Sequence, residues 1–227
     1  MRPLPSLPRI WTSVDLPGYR HDPDGRTYGN FPVESLPPID RALDDKLSWL
    51  LAEPLATEWA ILNQAEIPRF EEKRSRALGK RLPDLPKPFS VFIGTPAPAS
   101  RIRSATGSYL DFADHLVSST DGGQLIHFLS DQQWSMHWLL YMKDNAEAVV
   151  ATFLPYGFKF DEGESHPDYN PASLAVFDPC ETDASVCSDS FLEFIYRYWI
   201  ENEIYFRLRA GYLTDEQRRY AEYYKTP

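Results

Sequence analysis

His127 and His137 flank a turn-like Asp131-Gln132-Gln133, a spacing that sets two imidazoles on adjoining strands of one hairpin. A pair placed so could share a divalent metal, or act as base and electrophile. Either use needs a third ligand or an orienting carboxylate. Asp111 and Asp131 have the right chemistry, but the sequence does not place them. The competing reading makes both histidines polar positions of a half-solvated sheet face, bonded to backbone or water. A second concentration of chemistry lies further on, where Asp161, Glu162, Glu164 and Asp168 follow Tyr156-Gly157-Phe158. Carboxylates bunched in this way bind calcium, act as an acid/base pair, or present a negative patch to a basic protein, and a solvated loop is the commonest outcome. Of the functional uses, the protein-facing patch asks for the least geometry, with Tyr156 and Phe158 as its anchors.

Other candidates carry less. Arg101-Ile102-Arg103 puts two guanidiniums on one side of an expected strand, suited to an anion or to guarding an exposed edge. Asp22-Pro23-Asp24-Gly25 starts like a calcium loop but lacks the later ligands and the closing Glu. Cys180 and Cys187 lie in a loop-like stretch where a disulfide is possible and free thiols are preferred; a thiolate metal site would need closer partners than His166. The chain has no Gly-x-Ser-x-Gly elbow, no His-Glu-x-x-His, no Gly-Lys-Ser/Thr phosphate loop and no dinucleotide fingerprint. Asp121-Gly122-Gly123 leads into a strand rather than a helix, so it reads as a hairpin turn.

The elements that must position these groups follow from periodicity. Residues 1–38 are proline-rich and read as an extended arm, ordered where Trp11, Tyr19, Tyr28 and Phe31 can pack. Residues 39–227 read as one α+β domain. A helical segment at 39–80 rests on Ile39, Leu43, Leu47, Leu50 and Leu51 at helical spacing, a break at Pro54, and a second helix from about Thr57 that restarts at Pro68 and stops at Gly79. A sheet at 83–180 includes strands 124–130, 134–142, 147–153 and 173–177. C-terminal helices at 188–225 start at the capping boxes Ser190-x-x-Glu193 and Thr214-x-x-Gln217. Strand and helix do not alternate, which favours a central antiparallel sheet with N-terminal and C-terminal helices packed on it. Centring the first hairpin on Gln132 puts His127 opposite His137, and turning the second at Asp144-Asn145 puts His137 opposite Thr152. One face then carries Leu125, His127, Leu129, His137, Leu139, Val150 and Thr152, a mixed surface open to a ligand or partner. The other carries Ile126, Phe128, Trp134, Met136, Trp138, Leu140, Val149 and Phe153, and must be covered.

The chain has 227 residues, 43% hydrophobic and 14% aromatic, enough for a sizeable core and incompatible with wholesale disorder. Its 23 basic and 33 acidic residues give a net charge of −10, which disfavours direct nucleic-acid binding and favours a basic partner. The basic run Lys73, Arg74, Arg76, Lys80 and Arg81 follows Glu71-Glu72 and reads as a solvated helix face. No apolar run reaches the ~18 residues of a membrane span, and the N-terminal residues lack a secretory signal pattern, so a cytoplasmic location without membrane association is expected.

The stretch from Leu125 to Tyr141, with Asp131-Gln132-Gln133 ahead of Trp134 and Trp138, resembles bacterial members of the SUKH superfamily, relatives of fungal regulators of cell-wall synthesis. Leu85-Pro86-Lys87-Pro88-Phe89, the Gly122-Gly123 turn and the helix from Ser190 to Trp199 stand in the matching order, and the resemblance spans about residues 83–210. It implies an α+β fold, no shared catalytic residues and no cofactor. It also implies the function of an immunity protein, which neutralises a toxin, or of a regulatory adaptor. Two readings follow. The first is a non-enzymatic protein-binding module for a basic partner such as a toxin, using Asp161, Glu162, Glu164, Asp168, Tyr156 and Phe158. The second is a small-molecule enzyme or binding protein built on His127 and His137, without a metal. The oligomeric state is left open.

Overall fold

The computed structural model describes residues 4–22, 26–79, 84–158 and 174–225. Its centre is the meander β5 (Gln124–Ser130), β6 (His137–Lys143) and β7 (Ala146–Thr152). Around it lie β3 (Tyr109–Leu110), β4 (Val117–Ser119), β8 (Val176–Phe177) and β9 (Ser185–Ser188). The strand order is β8-β4-β5-β6-β7-β9, with β3 also paired to β5. All pairs are antiparallel except β4 with β8, which is parallel. The architecture is therefore the expected α+β, a curled and mostly antiparallel sheet with helices packed on it. Among the described residues no helix is long and apolar enough to cross a membrane.

The two hairpins illustrate what sets register. Asp144 takes a left-handed φ of 53° at the β6–β7 turn, the geometry a two-residue hairpin loop requires. His137 then faces Thr152, as expected. The β5–β6 hairpin differs. His127 faces Leu139, while Ser130 faces His137, with an irregularity between His127 and Leu129. The loop is also longer than three residues, because the Asp131 carboxylate accepts from the Ser135 and Met136 backbone N–H groups and from the Ser135 hydroxyl. A bulge adds one residue to a strand and reverses the facing of everything beyond it. Leu129 thus joins the helix-side core and Ser130 takes its place beside the histidines.

The helix-side face is closed by α3 (Lys87–Gly94), α4 (Pro96–Ala99) and the long α5 (Phe191–Ala210). Phe89 and Phe191 meet edge to face at 4.9 Å, and both pack on Phe128. The segment from Lys87 onward is thus helical where sheet was expected; Pro88 in its first turn supplies no N–H to lose, and Phe89, Phe92 and Ile93 bury one side. The opposite sheet face is not the open surface anticipated. Leu4, Leu7, Tyr156, Leu174, Phe177 and Ala184 cover it and form a second apolar cluster with Leu125, Leu139 and Val150. Trp134 and Phe153 also leave the helix-side core; Phe153 is exposed and Trp134 caps the loop at a φ of 59°.

Helix in the 39–80 region is confined to α1 (Ser48–Leu51) and α2 (Ile67–Leu78). Asp44 explains the short α1: its carboxylate accepts from the backbone N–H groups of Lys46 and Ser48, a local turn that competes with helix, and Leu47 goes left-handed. Residues 57–63 are not helical, and Asn63 caps the turn that leads into α2. At the other end Ser190 and Thr214 cap α5 and α6 (Asp215–Glu222) as their spacing predicts.

The proline-rich segment contributes β1 (Ile10–Ser13) and β2 (Gly29–Pro32), a two-stranded sheet whose Trp11 is fully buried. A buried ion pair ties it to α5. Arg20 donates to Glu201 at 2.8 and 2.9 Å, and Trp11, Ser13, Tyr220 and Tyr224 direct their remaining donors at the same carboxylate. Burial pushes the Glu201 carboxyl up, and Arg20 with these donors more than offsets it, leaving the group below the usual carboxylate range.

Candidate functional site

The bulge in β5 brings His127, Ser130 and His137 into one cluster. Ser130 Oγ lies 2.8 Å from His127 Nε2 and 3.0 Å from His137 Nδ1, and the two rings are 5.0 Å apart. A serine hydroxyl has one proton. Between two neutral imidazoles it donates to one ring and accepts N–H from the other. One of the two outer nitrogens, His127 Nδ1 or His137 Nε2, is then N–H and the other is bare; rotating the hydroxyl exchanges them. Neither outer nitrogen has a partner in good hydrogen-bond geometry among the described residues. The cluster could pass a proton along its length, yet it is closed: His127 is 1% and His137 0% exposed. Phe158 stands edge-on to His127 at 4.6 Å, Trp134 to His137 at 5.5 Å, and these two rings meet at 4.9 Å.

That enclosure sets the chemistry. Burial holds His127 well below the usual imidazole range, and the neighbouring His137 and Lys73 push it the same way. Burial lowers His137 to about 4, with Asp131 and Asp183 pulling in the other direction. Both rings are neutral at pH 7. Among the described residues no group of three or more His, Cys, Asp or Glu side chains is placed to hold a metal. Of the carboxylates considered for this role, Asp131 secures its own loop and Asp111 pairs with Lys73 on α2.

The acidic residues Asp161, Glu162, Glu164 and Asp168 lie outside the described residues. Tyr156, proposed beside them as an anchor, is 4% exposed; it packs on Phe177 at 5.3 Å and donates to Thr182. Phe158 is half-buried against His127. Arg101 and Arg103 do not share a strand. Arg101 donates to the carbonyls of Glu53 and Ala97, and Arg103 makes a two-pronged pair with Glu203 at 2.7 Å. The basic face of α2 is likewise engaged: Arg74 caps the Ile93 and Gly94 carbonyls and Arg76 pairs with Glu72. Asp22 accepts from Arg26, and Cys180 and Cys187 are free thiols.

Two features had no place in the sequence reading. The first is a groove of about 470 Å³ lined by Leu55, Thr57, Glu58, Trp59, Asn63 and Gln64, among others. Trp59 is 56% and Leu55 53% exposed. Trp59 holds a left-handed φ of 58°, costly for a bulky side chain, while its carbonyl accepts from Ser104 and its neighbours Ala56 and Ile61 donate to Ser100 and Ile102. The backbone is stitched down and the indole is turned outward. Glu58 makes no ion pair among the described residues. A helix from about Thr57 would take Trp59, Ile61 and Leu62 into the core; only the last two are buried. The second is a cleft of about 160 Å³ between α2 and β3.

Comparison of the chain with family models, with curated proteins and with solved structures finds no match in any of the three.

Proposed function

We propose that the chain is a non-enzymatic protein-binding module, an immunity protein or regulatory adaptor of the SUKH kind, whose partner is a basic protein such as a toxin. The observation that carries this reading is the groove at Trp59. An exposed tryptophan and leucine on a pinned backbone form the kind of aromatic anchor that dominates interface energy. Strain at an exposed residue, retained although it costs stability, points to use of that residue by something outside the chain. The partner's sign follows from charge: Glu58 is the single charged residue lining the groove, and the chain carries −10. The walled-in histidine cluster serves this reading as part of the scaffold, and the acidic residues Asp161, Glu162, Glu164 and Asp168 add to the field that draws a basic protein in.

The test is a pull-down eluted in steps of rising salt, followed by titration of the purified partner against variants. Trp59→Ala should weaken binding by about 30-fold, the ~2 kcal/mol of an interface anchor. Glu58→Lys and reversal of the four acidic residues should weaken binding at low salt, flatten its dependence on salt and slow association. A partner that binds the Trp59→Ala and Glu58→Lys proteins as tightly as the parent would defeat the proposal.

A further inference from the structure

We propose that the cleft between α2 and β3 binds a small organic carboxylate of about benzoate size, independently of any protein partner at Trp59. Glu66, just ahead of α2, and Arg69, Phe70 and Lys73 within it stand at the three- and four-residue steps that bring side chains into register. Tyr109, Leu110, Asp111 and Phe112 run along the opposite wall. The volume of the open cleft, about 160 Å³, is close to the ~150 Å³ that accepts a benzene-sized molecule. Phe70 and Phe112, whose rings meet at 5.7 Å, together with Leu62 and Leu110, give it an apolar side.

The polar side is a set of donors. Trp134 Nε1 donates to the Tyr109 hydroxyl at 2.7 Å, which leaves that hydroxyl's own hydrogen to be given elsewhere. Among the described residues the Arg69 guanidinium has no hydrogen-bond or ion-pair partner. Lys73 reaches into the cleft to pair with Asp111, which is only 2% exposed. The buried Asp111 carboxylate holds the Lys73 ammonium in place and also attracts the Arg69 guanidinium. Asp111 bonds to Lys73, and one oxygen of the Glu66 carboxylate accepts from the Asn63 amide at 2.7 Å. Among the described residues the Arg69 donors take no hydrogen-bond partner, and they form a planar fork that suits a carboxylate. An aromatic acid satisfies both sides of the cleft, its ring on Phe70 and Phe112 and its carboxylate between Arg69, Lys73 and Tyr109.

The experiment titrates the full chain with benzoate, benzamide, benzylammonium and inorganic phosphate, following the indole N–H resonance of Trp134, which hangs on Tyr109. Benzoate should shift that resonance saturably, benzamide at least tenfold more weakly, and benzylammonium not at all. Arg69→Gln should lower benzoate affinity tenfold or more, whereas Arg76→Gln, on the same helix and paired with Glu72, should leave it unchanged. Benzamide binding as well as benzoate, or Arg69→Gln binding benzoate like the parent, overturns the proposal. Phosphate competing at equal affinity overturns the organic-acid assignment, since it would show that charge alone is read. None of these outcomes depends on whether Trp59 engages a partner.

Discussion

Acidification should unfold this protein through His127 and His137 before its carboxylates are titrated. In the unfolded chain an imidazole takes up a proton near pH 6.5, whereas folded His137 does so at about 4. A group depressed in this way contributes stability that is complete above the unfolded value and is lost as pH falls toward the folded one. The full difference, 2.5 pH units at ~1.36 kcal/mol each, is about 3 kcal/mol, of which about 2.5 kcal/mol is gone by pH 4.5. His127 is shifted in the same direction and adds to the loss, though not independently, because each ring's charge disfavours the other's. Against a total stability of roughly 5–15 kcal/mol, this is a large fraction. The assay is urea unfolding followed by tryptophan fluorescence at several pH values between 7 and 4.5, on the parent and on the His127→Gln/His137→Gln pair. The parent should lose at least about 2.5 kcal/mol over that range, and the double variant should lose most of that dependence while being less stable at pH 7. Asp111 and Glu147, which burial raises, work in the opposite sense, but both proteins contain them, so the difference in slope isolates the imidazoles. Equal slopes in the two proteins would refute the argument, and Ser130→Ala offers a milder check should the double variant fail to fold.

Two further outcomes follow from the fold. Glu201→Gln leaves Arg20 charged, buried and without its counter-ion, and should cost about 3–5 kcal/mol in a denaturant titration, whereas Arg20→Met with Glu201→Met should recover part of that loss. Trp59→Asn places a residue tolerant of left-handed backbone where an indole is strained, and should raise stability by about 1 kcal/mol while weakening partner binding as Trp59→Ala does; a fall in melting temperature would show that the indole serves the fold.

Legibility in the sequence followed the range of the interaction responsible. The caps at Ser190 and Thr214 and the turn at Asp144-Asn145 are local chemistry, decided within four residues, and helix starts and strand register there agree with expectation. The β5–β6 register escaped because the Asp131 carboxylate enlarges the loop and a bulge lies inside the strand, and neither has a periodic signature. The helical spacing from Ile39 to Leu51 misled because Asp44 offers the backbone a tighter local alternative. At the candidate site the two histidine rings lie 5.0 Å apart, but they do not face each other across the hairpin, and Ser130 had no place in the reading. It reaches them only through the bulge, and their enclosure depends on Phe158 and Trp134. The groove at Trp59 exists because residues 100–104 clasp the backbone of 56–61, a contact across some forty positions that periodicity does not register.

The Arg20–Glu201 pair also bears on how the chain is made. The two residues are 181 positions apart. At roughly 5–20 residues per second, a ribosome that has finished Arg20 needs about 10–35 s more to supply its carboxylate. For that interval the guanidinium and the Trp11 indole have no carboxylate to bond, and the remaining hydroxyl donors to Glu201 come from Tyr220 and Tyr224, later still. The first strands therefore belong to the last stage of folding. The nascent protein passes most of its synthesis with an aromatic surface awaiting its mate.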